Sequence, residues 1–388
     1  MSKLNFFNDD SKNCLYPIGA MQGNESLQLG AFSIKELWEG LIQDVIANTE
    51  QKNAEKVQFA IGHGELNDRW IPSKEALFTL SALPIGTDLY GNEAPLFRWT
   101  NEDSTPSKSK QMLENADILN APHELFTRAG DWIHQQANRC KQNWGGEHGG
   151  QIKLPSHVHV IGPLENLIMA PGARVLGCTI NTEEGPVLLG PGSEVQEGSH
   201  VRGPLYLGAG SVLKMGAKIY GPTSIGEQCR IGGEVSNSVF LGFSNKGHDG
   251  FVGNSVIGRW CNLGAATNTS NLKSNYSKVK MWNVDSESLE ATGLQFCGLI
   301  MGDHSKSGIN TMFNAGSVVG AGCNIFGSGF QPKHIPPFSW GGGKNWTVYD
   351  LGKFLQTARS VMERRGCELT PDQIHNWTNL HQNLRSSN

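Results

Sequence analysis

From Leu189 onward the chain places an aliphatic residue at every sixth position: Leu189, Val195, Val201, Leu207, Leu213, Ile219, Ile225 and Ile231. Four residues after each come Ser193, Ser199, Leu205, Ser211, Ala217, Thr223, Cys229 and Val235, most of them small, and Gly192, Gly198, Gly210 and Gly216 recur between. This is the hexapeptide repeat of a β-helix. Each six-residue unit makes one short strand and one corner turn of a triangular coil, so the aliphatic residue points to the axis and the small one fits the crowded corner. Glycine supplies the turn dihedrals that other residues resist. The frame resumes at Phe251, Ile257 and Leu263 and again at Phe313, Val319 and Ile325, with Cys261, Thr267, Ser317 and Cys323 at the small sites. Met169 and Val175 form an upstream pair. Three cysteines thereby become corner-packing residues rather than reactive thiols.

Residues 151–350 hold 33 of the 48 glycines, which leaves 15 for the other 188 residues and marks a boundary near 145–155. The frame breaks over 236–250 and 270–300. Irregular excursions from a rigid coil are where solenoids carry binding groups, so function is expected there. Before the boundary the chain reads as mixed α and β. Ser33–Gln43 opens with a serine and a glutamate three positions on, a capping box. Glu124–Gln142 has helical periodicity, and Thr100–Lys110 is a polar loop. After the coil, Tyr349–Arg365 reads as an amphipathic helix with basic residues in its last turn, and Pro371 opens a short helix.

Thirty-two Lys+Arg against 36 Asp+Glu give a net charge of −4, which removes any whole-protein case for nucleic-acid binding. No run approaches the ~18 apolar residues needed to cross a bilayer, and MSKLNFFNDDSKN has no leader pattern, so the reading is a cytoplasmic protein. The eight cysteines show no C-x-x-C spacing, hence neither a zinc site nor a dense disulfide framework is signalled. No metal-ligand set is read in the coil.

The stretch Asn245–Asn271, NKGHDGFVGNSVIGRWCNLGAATNTSN, carries the one convincing reaction site. His248 lies beside Lys246 and Asp249, with Asn262 and Asn271 following at coil distance. A surface or structurally satisfied histidine is the alternative reading. Gly-His followed by aromatic-x-Gly, then N-x-G-A-x-T and an asparagine opening the next loop, resembles the acetyltransferase half of the bifunctional N-acetylglucosamine-1-phosphate uridyltransferase / glucosamine-1-phosphate acetyltransferase family. GDHSKSGINTMFNAGSVVGAGCNIFGSG resembles that family's final coils. Over roughly 150–365, runs such as KMGAKIYG, GGEV and FSNKGHDGF are more similar still to a bacterial variant group labelled glucose-1-phosphate thymidylyltransferase-like.

The resemblance implies a mainly β protein: a left-handed parallel β-helix (149–340) with a reduced nucleotidyltransferase-like α/β domain before it (1–148) and a C-terminal helical tail (341–388). It implies His248 as general base, Lys246, Asp249, Phe251, Asn262 and Asn271 around the substrate, and Ser307 near the acyl carbonyl of acetyl-CoA. An amino-sugar nitrogen must lose its proton before it attacks a thioester, and histidine suits that task at neutral pH. Three departures bear on the substrate. The family's tyrosine three residues after the histidine is Phe251, its basic pair falls on Ser236 and Asn237, and Ala266 replaces a glycine; Tyr276, Lys278 or Arg230 could compensate for the lost phosphate ligands. In the N-terminal half KNCLYPIG and FSIKELWE are similar to the variant group's opening, but the glycine-rich phosphate loop is absent and Ala20-Met21-Gln22 stands where the group has T-R-P.

The expected activity is acyl transfer from acetyl-CoA to a sugar phosphate or nucleotide sugar by a homotrimer. The alternatives are a sugar-1-phosphate nucleotidyltransferase, for which Asp9 and Asp10 could hold Mg²⁺, and a non-catalytic sugar-nucleotide-binding trimer. Fold alone does not decide among them.

Overall fold

A computed structural model describes residues 4–9, 14–19, 23–48, 51–91, 94–100, 109–144 and 154–386. Asp10, Ala20-Met21-Gln22, most of the Thr100–Lys110 loop and most of the 145–155 boundary lie outside the described residues.

The chain packs as two units. The first gathers residues 1–15, 22–27 and 32–121; the second gathers 16–21, 28–31 and 122–388. In the first, a five-stranded mixed sheet runs Asn5–Phe7, Gly64–Asn67, Ala94–Trp99, Thr87–Gly91, Ser109–Met112 in spatial order, with helices α1 (Ile34–Asn48), α2 (Gln51–Gly62) and α3 (Lys74–Ala82). The capping box closes as its spacing requires: Ser33 N–H donates to Glu36 Oε2 at 2.7 Å and Glu36 N–H to Ser33 Oγ at 3.2 Å. Trp38, fully buried, donates its indole N–H to Trp70 O at 2.9 Å, so the largest core side chain leaves no polar atom orphaned. The N-terminal carboxylate Asp9 is taken up by a buried ion pair with Arg69 at 2.6 Å.

The second unit is a parallel β-helix. Its described strands stack in threes through eight turns and part of a ninth, on three faces of a prism. The first face begins with His159–Ile161 and runs through Lys218–Tyr220 to Phe251–Gly253. The second runs from Leu167–Met169 to His334–Ile335, and the third from Arg174–Val175 to Ser339–Gly342. The mainly β coil expected from the six-residue period is therefore the observed architecture. All eight residues of the Leu189–Ile231 row are at most 3% exposed and belong to one axial core with Cys229, Cys261 and Cys323 at corners. The cysteines are free and buried in the axial core, and burial pushes the Cys229 thiol up to about 11, in keeping with corner packing rather than reactivity.

Helix α4 (Glu124–Thr127) and α5 (Ala129–Trp144) cover the region expected to be helical over 124–142, and α5 packs on second-face strands of the coil. There Gln136 donates to Leu29 O at 2.7 Å and accepts from Ala31 N–H at 2.6 Å. The packing division consequently falls after residue 121, ahead of the compositional one. At the other end α6 (Leu351–Glu363) is capped by Asp350, which accepts from Lys353 N–H at 2.9 Å. Helix α7 (Pro371–Ser386) is longer than the short helix expected, with proline at its first position as helix geometry favours.

Two expectations about the interruptions part company. Residues 270–300 do leave the coil, as an antiparallel hairpin Lys280–Asn283 / Ser288–Ala291 inserted before Leu299. Residues 236–250 do not. They form a shortened turn: stacked positions are 18 residues apart at Leu213 and Ile231 but 15 at Ile231 and Lys246, then 17 at Val235 and Val252. The lost residues come out of corners, and the strand parity shifts with them. Val252 therefore occupies the axis and Phe251, expected there from the six-residue frame, points outward.

Candidate active site

His248 stands on the corner that carries the chain from the third face (Asn245–Lys246) to the first face of the next turn (Phe251–Gly253). Its side chain is exposed, and its ring makes no hydrogen bond with a described residue. The backbone around it is fixed from three sides. Asp249 O accepts from Ala266 N–H at 2.9 Å, Phe251 N–H donates to Asn268 Oδ1 at 2.9 Å, and His248 O accepts from Lys246 Nζ at 2.5 Å. A rigid frame with a free imidazole is what a proton-transfer group requires.

Lys246 is the residue the sequence placed differently. It is 1% exposed, opposite Ile231 on the inward row, and the pairing of Asn245 with Asn262 puts it beside Leu263. Its stem fills the axial core while its ammonium reaches the inner side of the His248 corner. A Cβ at Gly233 would stand 2.8 Å from His248 O, Gly250 O and Lys246 Nζ alike, so Gly233, at φ +68°, leaves room for this internal cap. Burial pushes the Lys246 ammonium down from its ordinary 10.5 to about 8, with Asp249 pulling the other way. It supports the corner from within and offers no surface to a ligand.

Ser307, expected near an acyl carbonyl, is also inside the coil. It lies between Leu263 and Ile325 on the inward row, its Oγ 2.9 Å from Thr267 Oγ1. The remaining expected residues fall into three places. Phe251 and Asn271 share the first face: a Cβ at Gly253 would meet the Phe251 ring and Asn271 Nδ2, so ring and amide converge over that glycine, and Asn271 Nδ2 donates to Asn254 Oδ1 at 2.8 Å. Arg230 and Asn262 lie on the outer side of the third face, in one row with Asn245. Tyr276, 68% exposed at φ +56°, belongs to the hairpin excursion. Asn268 and Asn254, which hold the corner and the Asn271 amide, were not picked out from sequence. An asparagine at φ +49° such as Asn254 signals a turn only once the coil register is known.

Among the described residues no three His, Cys, Asp or Glu side chains are grouped to hold a metal ion, and no helix is long and apolar enough to cross a membrane.

Known proteins provide a further comparison. No protein-family model matches the chain. The bifunctional protein GlmU of Methanocaldococcus jannaschii is 38% identical over 92 residues, 24% of this chain and 22% of that protein. The chain is similar over part of its length to bifunctional sugar-phosphate transferases. A bifunctional sugar-1-phosphate nucleotidylyltransferase/acetyltransferase of Sulfurisphaera tokodaii is 32% identical over 165 residues, 42% of this chain and 40% of that protein. The chain thus spans well under half the length of these curated relatives, which are archaeal, whereas the resemblance read from the motifs pointed to a bacterial group. Among solved structures, an Arabidopsis UDP-N-acetylglucosamine acyltransferase aligns at TM-score 0.26 and 15% identity over 55% of this chain and 80% of that one. The polysialic-acid-specific acetyltransferase NeuO aligns at 0.27 and 11% over 50% and 83%.

Proposed function

We propose that the protein is a transferase whose coil moves an acetyl group from acetyl-CoA to an amino or hydroxyl group of a sugar phosphate or nucleotide sugar, with His248 as general base. The observation that carries the reading is the pinned corner with its unoccupied imidazole, and the acetyltransferase activity in the relatives' names agrees with it. In the proposed step His248 removes a proton from the acceptor, whose nitrogen or oxygen then attacks the thioester carbonyl. The new bond to carbon forms, the C–S bond breaks, and the CoA thiolate leaves and is protonated. Backbone N–H groups at a coil turn suit the transient oxyanion. Asn262, on the third face before the corner, and Asn271, at the far end of the first-face strand after it, would supply positioning amides, while Phe251 would provide an apolar wall.

The test is release of free CoA from acetyl-CoA by the purified chain over a panel of sugar phosphates and nucleotide sugars. Release with at least one acceptor is expected; none with any would remove the reading. Pyrophosphate release from nucleoside triphosphates with sugar phosphate and Mg²⁺ is expected to be absent, because the sequence has no glycine-rich phosphate loop and Asp9 is engaged by Arg69 and Asn67. Its appearance would favour the nucleotidyltransferase alternative.

Lys246→Met separates support of the corner from support of the fold. Removing a buried charge while keeping an apolar stem is expected to leave the melting temperature unchanged or raised. Transfer should fall about tenfold or more with KM little altered, because the His248 carbonyl loses its internal donor. The folded-state ammonium titrates near 8 against an ordinary 10.5, so between those values the unfolded chain binds more protons and the parent gains stability as pH rises. The variant should lack that gain. A variant that melts far lower than the parent would make Lys246 a purely structural residue.

We also propose a homotrimer around the first face, where Ile161 and Tyr220 project 45% and 43% exposed from one outward row and half-buried Phe251 stands in the other. Closed cyclic symmetry is the common way to satisfy identical faces. Light scattering at micromolar concentration should give three times the chain mass; a monomer would contradict the trimer.

A further inference from the structure

On the outer side of the third face, the stretch of one row from Arg230 to Lys306 holds only basic and amide side chains: Arg230 pairs with Asn245, Asn245 with Asn262, and Asn262 with Lys306 across successive strands. Helix α6 brings another cation to this row. Its Phe354, Ala358 and Met362 pack with Trp260, Phe338 and Trp377, which fixes the helix on the coil, and just beyond its end Arg365 Nη2 donates to Asn245 Oδ1 at 3.0 Å. The Arg230 guanidinium is held by Nη1 donating to Gly210 O at 2.8 Å and Cys229 O at 2.9 Å. Arg230, on the strand paired with that of Asn245, and Arg365, bonded to the Asn245 amide, therefore lie close enough for their charges to act on each other. Neither has a carboxylate partner among the described residues, and Glu194, two strands away, is engaged by Arg174 at 3.2 Å. Burial first, and then the positive charge of Arg365, work against the charge of Arg230, while Glu194 acts the other way from a distance.

Two like-charged guanidiniums held near one another, neither in direct contact with a carboxylate of a described residue, form a receptor for a compact dianion. We infer that Arg230, Arg365, Asn245 and Asn262 bind a phosphate monoester. Two fixed charges match its charge, and planar guanidiniums donate to its oxygens in a forked geometry that an ammonium does not offer. The row lies three residues before His248 in the chain, at Asn245, so a bound phosphate would anchor a substrate whose reactive end is at the corner. Assigning that phosphate to a substrate rests on the acyl-transfer reading; the anion site itself does not. The monoester has two possible sources, the sugar phosphate and the ribose phosphate of acetyl-CoA.

The experiment uses the full chain and inorganic phosphate as probe, against chloride at equal ionic strength. Phosphate should raise the melting temperature of the parent, and Arg365→Gln and Arg230→Gln should each lose most of that rise while melting normally in chloride. The KM arms identify the source. Loss of a charge-assisted hydrogen bond should raise KM about tenfold or more, with kcat nearly unchanged. A rise confined to the sugar phosphate assigns the site to the acceptor; a rise for acetyl-CoA that is absent with its 3′-dephospho form assigns it to the donor. A parent with no response beyond chloride, variants that respond like the parent, or both KM values unmoved would overturn the site. If no acceptor is acetylated at all, the phosphate response still decides the anion site, and only the acyl-transfer reading falls.

Discussion

Leu213→Asp should leave no folded protein. Leu213 is fully buried on the axis, opposite Val195 on one side and Ile231 on the other. An aspartate there would face aliphatic neighbours with no donor, and an unpaired buried charge belongs to the short list of changes that cost more than ~4 kcal/mol. A domain has about 5–15 kcal/mol in total. Because each coil stacks only on its neighbours, the defect would interrupt the axial core in mid-solenoid rather than be absorbed locally. The expected result is loss of the cooperative melt and of soluble protein. Ile225→Asp, between Leu207 and Phe240 on the second face, should behave alike. A normal melting temperature for either would show that the inward register is misassigned.

How far the sequence reveals this molecule depends on how regular each part is. Between Leu189 and Ile231 every inward residue is legible, because a strict period of six leaves one register and the small residues fix the corners. The reading fails where the coil shortens. A turn of 15 residues has the same strands as one of 18, but its corners are trimmed, so the frame slips without any excursion and a period search sees only a break. Phe251 and Val252 exchange sides for that reason. Lys246 is illegible from composition, since a lysine is expected at a surface; only the register shows that its stem replaces an aliphatic residue and its ammonium caps a carbonyl. Motif similarity sets Ser307 near an acyl carbonyl, yet the inward row accepts it because Thr267 provides a hydroxyl partner.

Helix α5 illustrates a different limit. Its period was visible, but the surface it covers was not, because the second-face residues beneath it, such as Leu188 and Tyr206, read as ordinary coil positions. Likewise the place of Arg365 beside Asn245, 120 residues away in the chain, follows from the docking of α6 and from nothing local.

We propose that the His248 imidazole, and not merely its corner, performs the proton transfer. Since its ring is exposed and unbonded while the corner is held by Lys246, Ala266 and Asn268, His248→Ala removes the imidazole and is expected to leave the frame. Phe251 has no hydroxyl to substitute, which leaves Asp249 as the one acid–base neighbour in that short segment. The decisive measurement is acetyl transfer and thermal melting on the same preparation of His248→Ala, with the acceptor that the parent acetylates. The predicted result is an unchanged melt with transfer reduced by ~10²–10⁴, some rate surviving because both substrates are still positioned. Transfer within threefold of the parent in a normally melting variant would contradict the mechanism.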